Sequence, residues 1–101
     1  MKIQTRLDNN DQDLVIGING RFDFSTHQVF REAYEQQPDT VRRYIIDMSE
    51  TSYLDSSALG MLLLLRDYAG GESAAITITS CNTDVRKILT ISNFEQLFDI
   101  R

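Results

Sequence analysis

"YLDSSALGMLLL", residues 53–64, sets a carboxylate and two hydroxyls ahead of an aliphatic run. A carboxylate beside hydroxyls can hold a metal, assist a nucleophile, cap a helix or accompany a phosphate. Each role needs different company. No G-x-S-x-G places Ser56 or Ser57 on a nucleophile elbow. His27 is the only histidine, so Ser-His-Asp hydrolysis would rest on it alone, and a solvated helix histidine is the simpler role. Asp47, Glu50 and Asp55 follow no metal-loop spacing, and no metal site is expected. There is no Walker-type loop and no G-x-G-x-x-G, and no cofactor is expected. No catalytic residue is assigned. Capping and phosphorylation remain.

A helix start has free N–H groups, and Asp55, Ser56 or Ser57 could each offer them an oxygen. The residues three further on are Ala58, Leu59 and Gly60, so no capping box forms. Three candidate caps where one suffices leave at least one hydroxyl free for a kinase. A phosphate at the helix N-terminus gains roughly 0.3–1 kcal/mol. Asp55 opposes it by about 1 kcal/mol per unit charge pair in water. The two nearly cancel, so the phosphorylated domain should stay folded. The effect would fall on whatever docks there.

The helix expected over 56–68 has an apolar side. With 100° per residue, Ala58, Leu62, Leu65 and Ala69 lie within about 60° of Leu62, and Met61 and Tyr68 extend that side. Leu63 falls on the wet side, beside Leu59, Leu64 and the bare backbone of Gly60. It is either an ordinary exposed leucine or part of a docking patch, and its closeness to the serines favours docking.

Other elements must carry this helix. Residues 2–7 and 14–19 suit two strands of a hairpin, joined by the turn-rich "LDNNDQD". Gly20 ends the second strand. "FDFSTHQVFREAYEQQP" turns helical, with Val29, Phe30, Ala33 and Tyr34 inward, Ser25 or Thr26 as cap and Pro38 as terminator. Residues 42–48 form a strand whose run Tyr44, Ile45, Ile46 suits burial on both faces. "SETSYLD" is expected to be a polar connection. Gly70 and Gly71 stop the helix, 74–80 is a strand, and 83–92 is a helix with Val85, Ile88, Leu89 and Ile91 inward. Asn93 suits a left-handed helix end, and "LFDI" is a short terminal element. Strands alternating with helices imply a mostly parallel sheet, with sites where strand C-termini meet helix N-termini. The serines lie at such a junction.

The chain has 101 residues, 42% of them hydrophobic, enough for one core. Its net charge of −5 argues against direct nucleic-acid binding or anionic membrane. The lone cysteine, Cys81, forms no internal disulfide and suits a reducing compartment as a small buried hydrophobe. Residues 1–20 lack a signal-peptide pattern, and no apolar run can span a bilayer. A cytoplasmic domain without membrane insertion is expected.

The chain resembles the STAS domain, in particular the anti-sigma factor antagonists. "YLDSSALGMLLL" is similar to the family's D-S-[ST]-G-L-G and its aliphatic helix. "INGRFDFST" (18–26) resembles the G-x-[LF]-D segment, "YIIDMSETSYLD" the central strand and loop, and "LTISNFEQLFDI" the C-terminal ending, with Asn93 where glycine is usual. The resemblance implies an α/β STAS fold over 1–101 as a single domain, a four- to five-stranded mixed sheet packed with three to four helices. It implies a phosphorylation switch at Ser56 and no enzymatic activity. An anti-sigma factor or related serine kinase would bind the unphosphorylated form, and a metal-dependent serine phosphatase would reset the switch, governing transcription or a biofilm or motility pathway. Asp23, matching the family's aspartate beside the serine, would join Asp55, Ser57, Leu59, Gly60 and Leu63 in partner binding. Ala58 replaces the usual glycine and favours the helix. The alternative implied by the family is a subunit of a membrane transporter whose serine is structural.

Overall fold

The computed structural model describes residues 2–101. In chain order the strands are β1 (Ile3–Asp8), β2 (Asp13–Ile18), β3 (Gly20–Phe22), β4 (Arg43–Asp47), β5 (Thr51–Leu54), β6 (Ile76–Thr79) and β7 (Asp99–Ile100). The α-helices are α1 (His27–Glu35), α2 (Ser56–Tyr68) and α3 (Thr83–Ile91). The α/β architecture and the mixed five-stranded sheet with its helices are those of the STAS fold expected above.

β1 and β2 form the expected antiparallel hairpin, with Ile3 opposite Ile18 and Asp8 opposite Asp13. Asn9, Asn10 and Asp11 turn the chain at positive φ, which asparagine and aspartate tolerate better than other side chains. β4 lies parallel to β2, β6 to β4 and β7 to β6, giving the order β1-β2-β4-β6-β7. The terminal apolar piece becomes β7, and Asn93 takes φ 61° as expected.

Leu14, Ile16, Ile18, Ile46 and Ile78 on one sheet face are buried with Phe30, Leu62, Leu65 and Leu89 from the helices in one core. The opposite face is more open. Ile45 there is only half-buried beside Asp47, Thr77 and Thr79. Burial of β4 on both faces is therefore corrected: its apolar run alternates between a helix-covered face and a half-covered one. Val29 is 46% exposed and Ile91 73% exposed, also against expectation. On α1 the buried residues are Phe30 and Tyr34, and on α3 Val85 and Leu89, each pair four apart. Ala33 and Ile88 are half-buried against the core as expected, and only Val29 and Ile91 are left outside.

A second correction concerns the approach to α2. "SETSYLD" is not a plain connection, because it contains β5. The second strand ends at Ile18, just ahead of Gly20 as expected, but Gly20, at φ 78°, also opens β3. The two pair in parallel as a separate two-stranded ribbon, Phe22 beside Leu54. Phe22 and Leu54 are buried, which ties the ribbon to the core.

Candidate functional site

The ribbon delivers two carboxylates to one end. Asp23 follows Phe22, and Asp55 follows Leu54, its register partner. Paired strands lie about 4.8 Å apart, so the two aspartates emerge side by side. The register thus brings the end of β3 level with the end of β5, from which the serine segment starts.

Each aspartate is a cap. Asp55 has extended backbone, and its Oδ1 accepts the N–H of Ala58 at 3.0 Å. That decides among the three candidate caps, and neither serine hydroxyl is needed. Ser56 is exposed and Ser57 half-exposed. Asp23 Oδ1 accepts the Ser25 N–H at 3.0 Å and also the Ser25 hydroxyl. It caps the short turn Phe24–Thr26 that leads into α1. The caps expected of Ser25 and Thr26 are corrected accordingly: Thr26 makes no side-chain cap, and its hydroxyl donates to the Asp23 carbonyl at 2.7 Å. The Ser25 hydroxyl is the main cause holding the Asp23 carboxyl below the ordinary aspartate range, with the Ser25 amide and Arg21 adding to it.

The base of the ribbon is fastened at three points. Thr51 is buried and donates its hydroxyl to the Ile18 carbonyl at 2.7 Å. The Gly20 N–H donates to the Glu50 carbonyl at 2.9 Å. Asn82 works in two directions: Oδ1 accepts the Val85 N–H at 2.8 Å and caps α3, while Nδ2 donates to the Thr51 carbonyl at 3.1 Å. The serine segment is thus held through β5 to both β2 and α3. Sequence reasoning missed Thr51 and Asn82. The available signal was Asn82 directly before a helical pattern, a common cap position.

Along α2, Ala58, Met61, Leu62 and Leu65 are buried, as the apolar side requires. Tyr68 is corrected: it is 51% exposed, with its ring 5.1 Å from that of Tyr34 at the rim. Leu63 is 42% exposed, on the expected wet side. Leu59 is half-buried against the core. Gly60 is exposed, and a Cβ there would meet nothing within 4 Å. A mid-helix glycine costs about 1 kcal/mol relative to alanine, and no contact within the chain calls for it.

Aromatic groups flank the site that sequence reasoning did not single out. Phe24, next to Asp23, is 69% exposed and stacks on His27 with ring centres 5.5 Å apart. The Arg21 guanidinium lies 4.5 Å over the ring of the exposed Tyr53 on the ribbon. His27 lies on α1, and among the described residues no hydrogen bond or ring contact joins it to Ser56 or Ser57. Cys81 is half-buried, and burial pushes its thiol pKa up. Among the described residues there is no His/Cys/Asp/Glu cluster able to hold a metal.

A mixed sheet with a capped helix start beside a short ribbon defines the class: a STAS-type α/β domain that presents a serine. The family described as "Mlab, STAS domain" matches residues 5–99. A STAS-domain containing protein of Pseudomonas aeruginosa (strain UCBPP-PA14) is 64% identical over 89 residues, covering 88% of each chain. The chain belongs to the STAS-domain family. Its fold is similar to that of a candidate anti-sigma factor antagonist from Thermotoga maritima (TM-score 0.83, 14% identity, 97% of this chain and 84% of that one). It is also similar to the anti-sigma factor antagonist SpoIIAA in its unphosphorylated form (TM-score 0.73, 18% identity, 98% and 86%). A sulfate transporter family protein from Wolinella succinogenes shares the fold as well (TM-score 0.70, 14% identity, 84% and 74%). No described helix is long and apolar enough to cross a membrane.

Proposed function

We propose that this chain is a non-enzymatic, phosphorylation-switched binding protein of the anti-sigma factor antagonist type, with Ser56 as the switch. The observation that carries this reading is the division of labour at α2. Asp55 supplies the cap, and Ser56 stands exposed at the helix start with no structural duty assigned to it. The partner is an anti-sigma factor or related serine kinase. It binds the unphosphorylated form across Asp23, Asp55, Ser57, Leu59, Gly60 and Leu63, and a metal-dependent serine phosphatase restores that form. Phosphate at Ser56 adds roughly 1.5–2 negative charges at neutral pH. That charge beside two aspartates opposes any partner that must desolvate the surface. The outcome is control of transcription or of a biofilm or motility pathway.

Phosphopeptide mapping of protein from its own cells tests the assignment. The phosphate should lie on Ser56. Ser56→Ala should bind its partner constitutively, and Ser56→Asp should bind it weakly. A phosphate on Ser57 alone overturns the choice of serine. The shared fold with a sulfate transporter family protein supports a second reading, a subunit of a transporter complex. A permease component recovered in pull-down, with no phosphate on either serine, would favour it.

A further inference from the structure

Arg6, Arg21, Arg31, Arg43 and Arg101 each hold an aspartate or glutamate within the chain. Arg86 and Lys87, exposed neighbours on α3, are in no ion pair among the described residues. Nor does their own helix call for them. The dipole of α3 favours cations in its last turn, and that turn has no basic residue. Two positive charges are thus presented side by side and left uncompensated, on a chain of net charge −5.

With Cys81, Thr83, Thr90 and Ile91 they line a shallow groove of about 430 Å³. At 100° per residue the five lining residues on α3 fall within about 140° of arc, away from the buried Val85 and Leu89. Ile91 is the most exposed large hydrophobic residue among those described, and Lys87 stands one turn before it. Cys81 is half-buried and packs against the core at the other side of the groove. The charge of Arg86 reaches its thiol and lowers the pKa that burial raises. No carboxylate lines the groove. Asp84 stands at its margin, about 20° beyond Ile91 on the helix. The groove therefore offers an aliphatic surface with two cations beside it.

We propose that this face of α3 is a second docking surface, for an acidic amphipathic segment of a partner protein. Carboxylates of that segment meet Arg86 and Lys87, and an aliphatic side chain covers Ile91. Charge selects this occupant. On an amphipathic helix, carboxylates three or four residues apart share one face, which suits two adjacent cations. An anionic membrane is held by clusters of about four to eight cations, and the nucleic-acid backbone likewise by many contacts, so two are too few for either. A second copy of the chain would add the repulsion of its own net charge of −5. The groove takes no residue from α2 or from the ribbon, so this surface is separate from the one at Ser56 and does not rest on phosphorylation there.

Amide chemical-shift titration of the isotope-labelled chain tests this with a capped synthetic peptide of about 15 residues. The peptide carries Leu along one helical face and Glu beside it, and a second peptide has Gln for every Glu. The acidic peptide should move amides over residues 81–91 and saturate, with a dissociation constant between about 10 μM and 1 mM. The Gln peptide should bind at least about tenfold more weakly, and so should the acidic peptide to Lys87→Glu. Ile91→Ser should weaken binding at least about threefold. Lys2→Glu makes the same change of charge just ahead of β1 and should leave affinity within about twofold. Thermal unfolding of each variant checks its fold, and Lys87→Gln takes the place of Lys87→Glu if that variant does not fold. No shift at about 1 mM peptide, shifts centred outside α3, or equal binding of the two peptides overturns the proposal. A loss with Lys2→Glu as large as with Lys87→Glu overturns it in favour of net charge alone. Binding of phosphatidylglycerol vesicles at α3 with no response to the peptide overturns it in favour of a membrane surface.

Discussion

At Asp55 and Ser56 two adjacent polar residues have separate tasks. The carboxylate satisfies the Ala58 N–H, and the hydroxyl stays exposed. The sequence showed three candidate oxygens and could not choose among them. The choice depends on which residue takes extended backbone before the helix, and that is set by the end of β5. Asp55→Ala should cost about 1 kcal/mol by leaving the helix start uncapped. Asp55→Asn should be nearly neutral in the free protein, because asparagine caps as well as aspartate. In the Ser56-phosphorylated protein the same change removes a like charge, so it should stabilise that form more than the free one. Urea unfolding of both proteins with and without phosphate measures the difference. Equal effects in the two forms would mean that Asp55 does not oppose the phosphate, and that capping alone explains its place.

At the scale of elements, the long periodic segments were legible and the short ones were not. The phase of α2 came directly from its thirteen residues, and it separates Leu62 from Leu63. Leu62→Ala should cost about 2–5 kcal/mol, because the side chain is fully buried. Leu63→Lys should change stability by less than about 1 kcal/mol and weaken partner binding at least about tenfold. Thermal unfolding and partner titration of the two variants check both statements. The ribbon was missed for a physical reason. β3 and β5 have three and four residues, too few for a period-two pattern, and they pair with each other rather than joining the sheet. Their stability comes from the burial of Phe22 and Leu54 and from non-local bonds at Thr51 and Asn82, which no local pattern records. Asn82→Asp isolates one of these bonds. It keeps an acceptor for the Val85 N–H but sets an oxygen against the Thr51 carbonyl. The cost should be about 1–2 kcal/mol. Amide exchange should quicken in the ribbon while α3 keeps its protection. Unchanged exchange in the ribbon would show that the bond from Asn82 Nδ2 to the Thr51 carbonyl does not hold it in place.

At the scale of the whole molecule, Ser56 and the core are kept apart. The sheet β1-β2-β4-β6-β7 is bonded within itself, and the serine lies beyond it, at the end of the separate ribbon. The alternation that leaves Ile45 half-buried has the same meaning: the sheet is finished by helices on one face only, and nothing in its register depends on residue 56. A phosphate at Ser56 meets the favourable field of the helix end, roughly 0.3–1 kcal/mol, and the unfavourable charge of Asp55, about 1 kcal/mol for each of its roughly 1.5–2 charges. Free and phosphorylated forms should therefore differ by no more than about 2 kcal/mol in unfolding free energy. Amide chemical shifts should change over residues 54–60 and scarcely elsewhere. The nearest route into the core runs from Ala58 and Leu62, which are buried and face away from the serine. A change that used this route would pass into the core that Ala58 and Leu62 share with Ile46 and Ile78. Large shifts at Ile45 or Ile78 would thus replace a local charge switch with a conformational one. Their absence, with partner release intact, would place the whole effect of the phosphate at the surface it occupies.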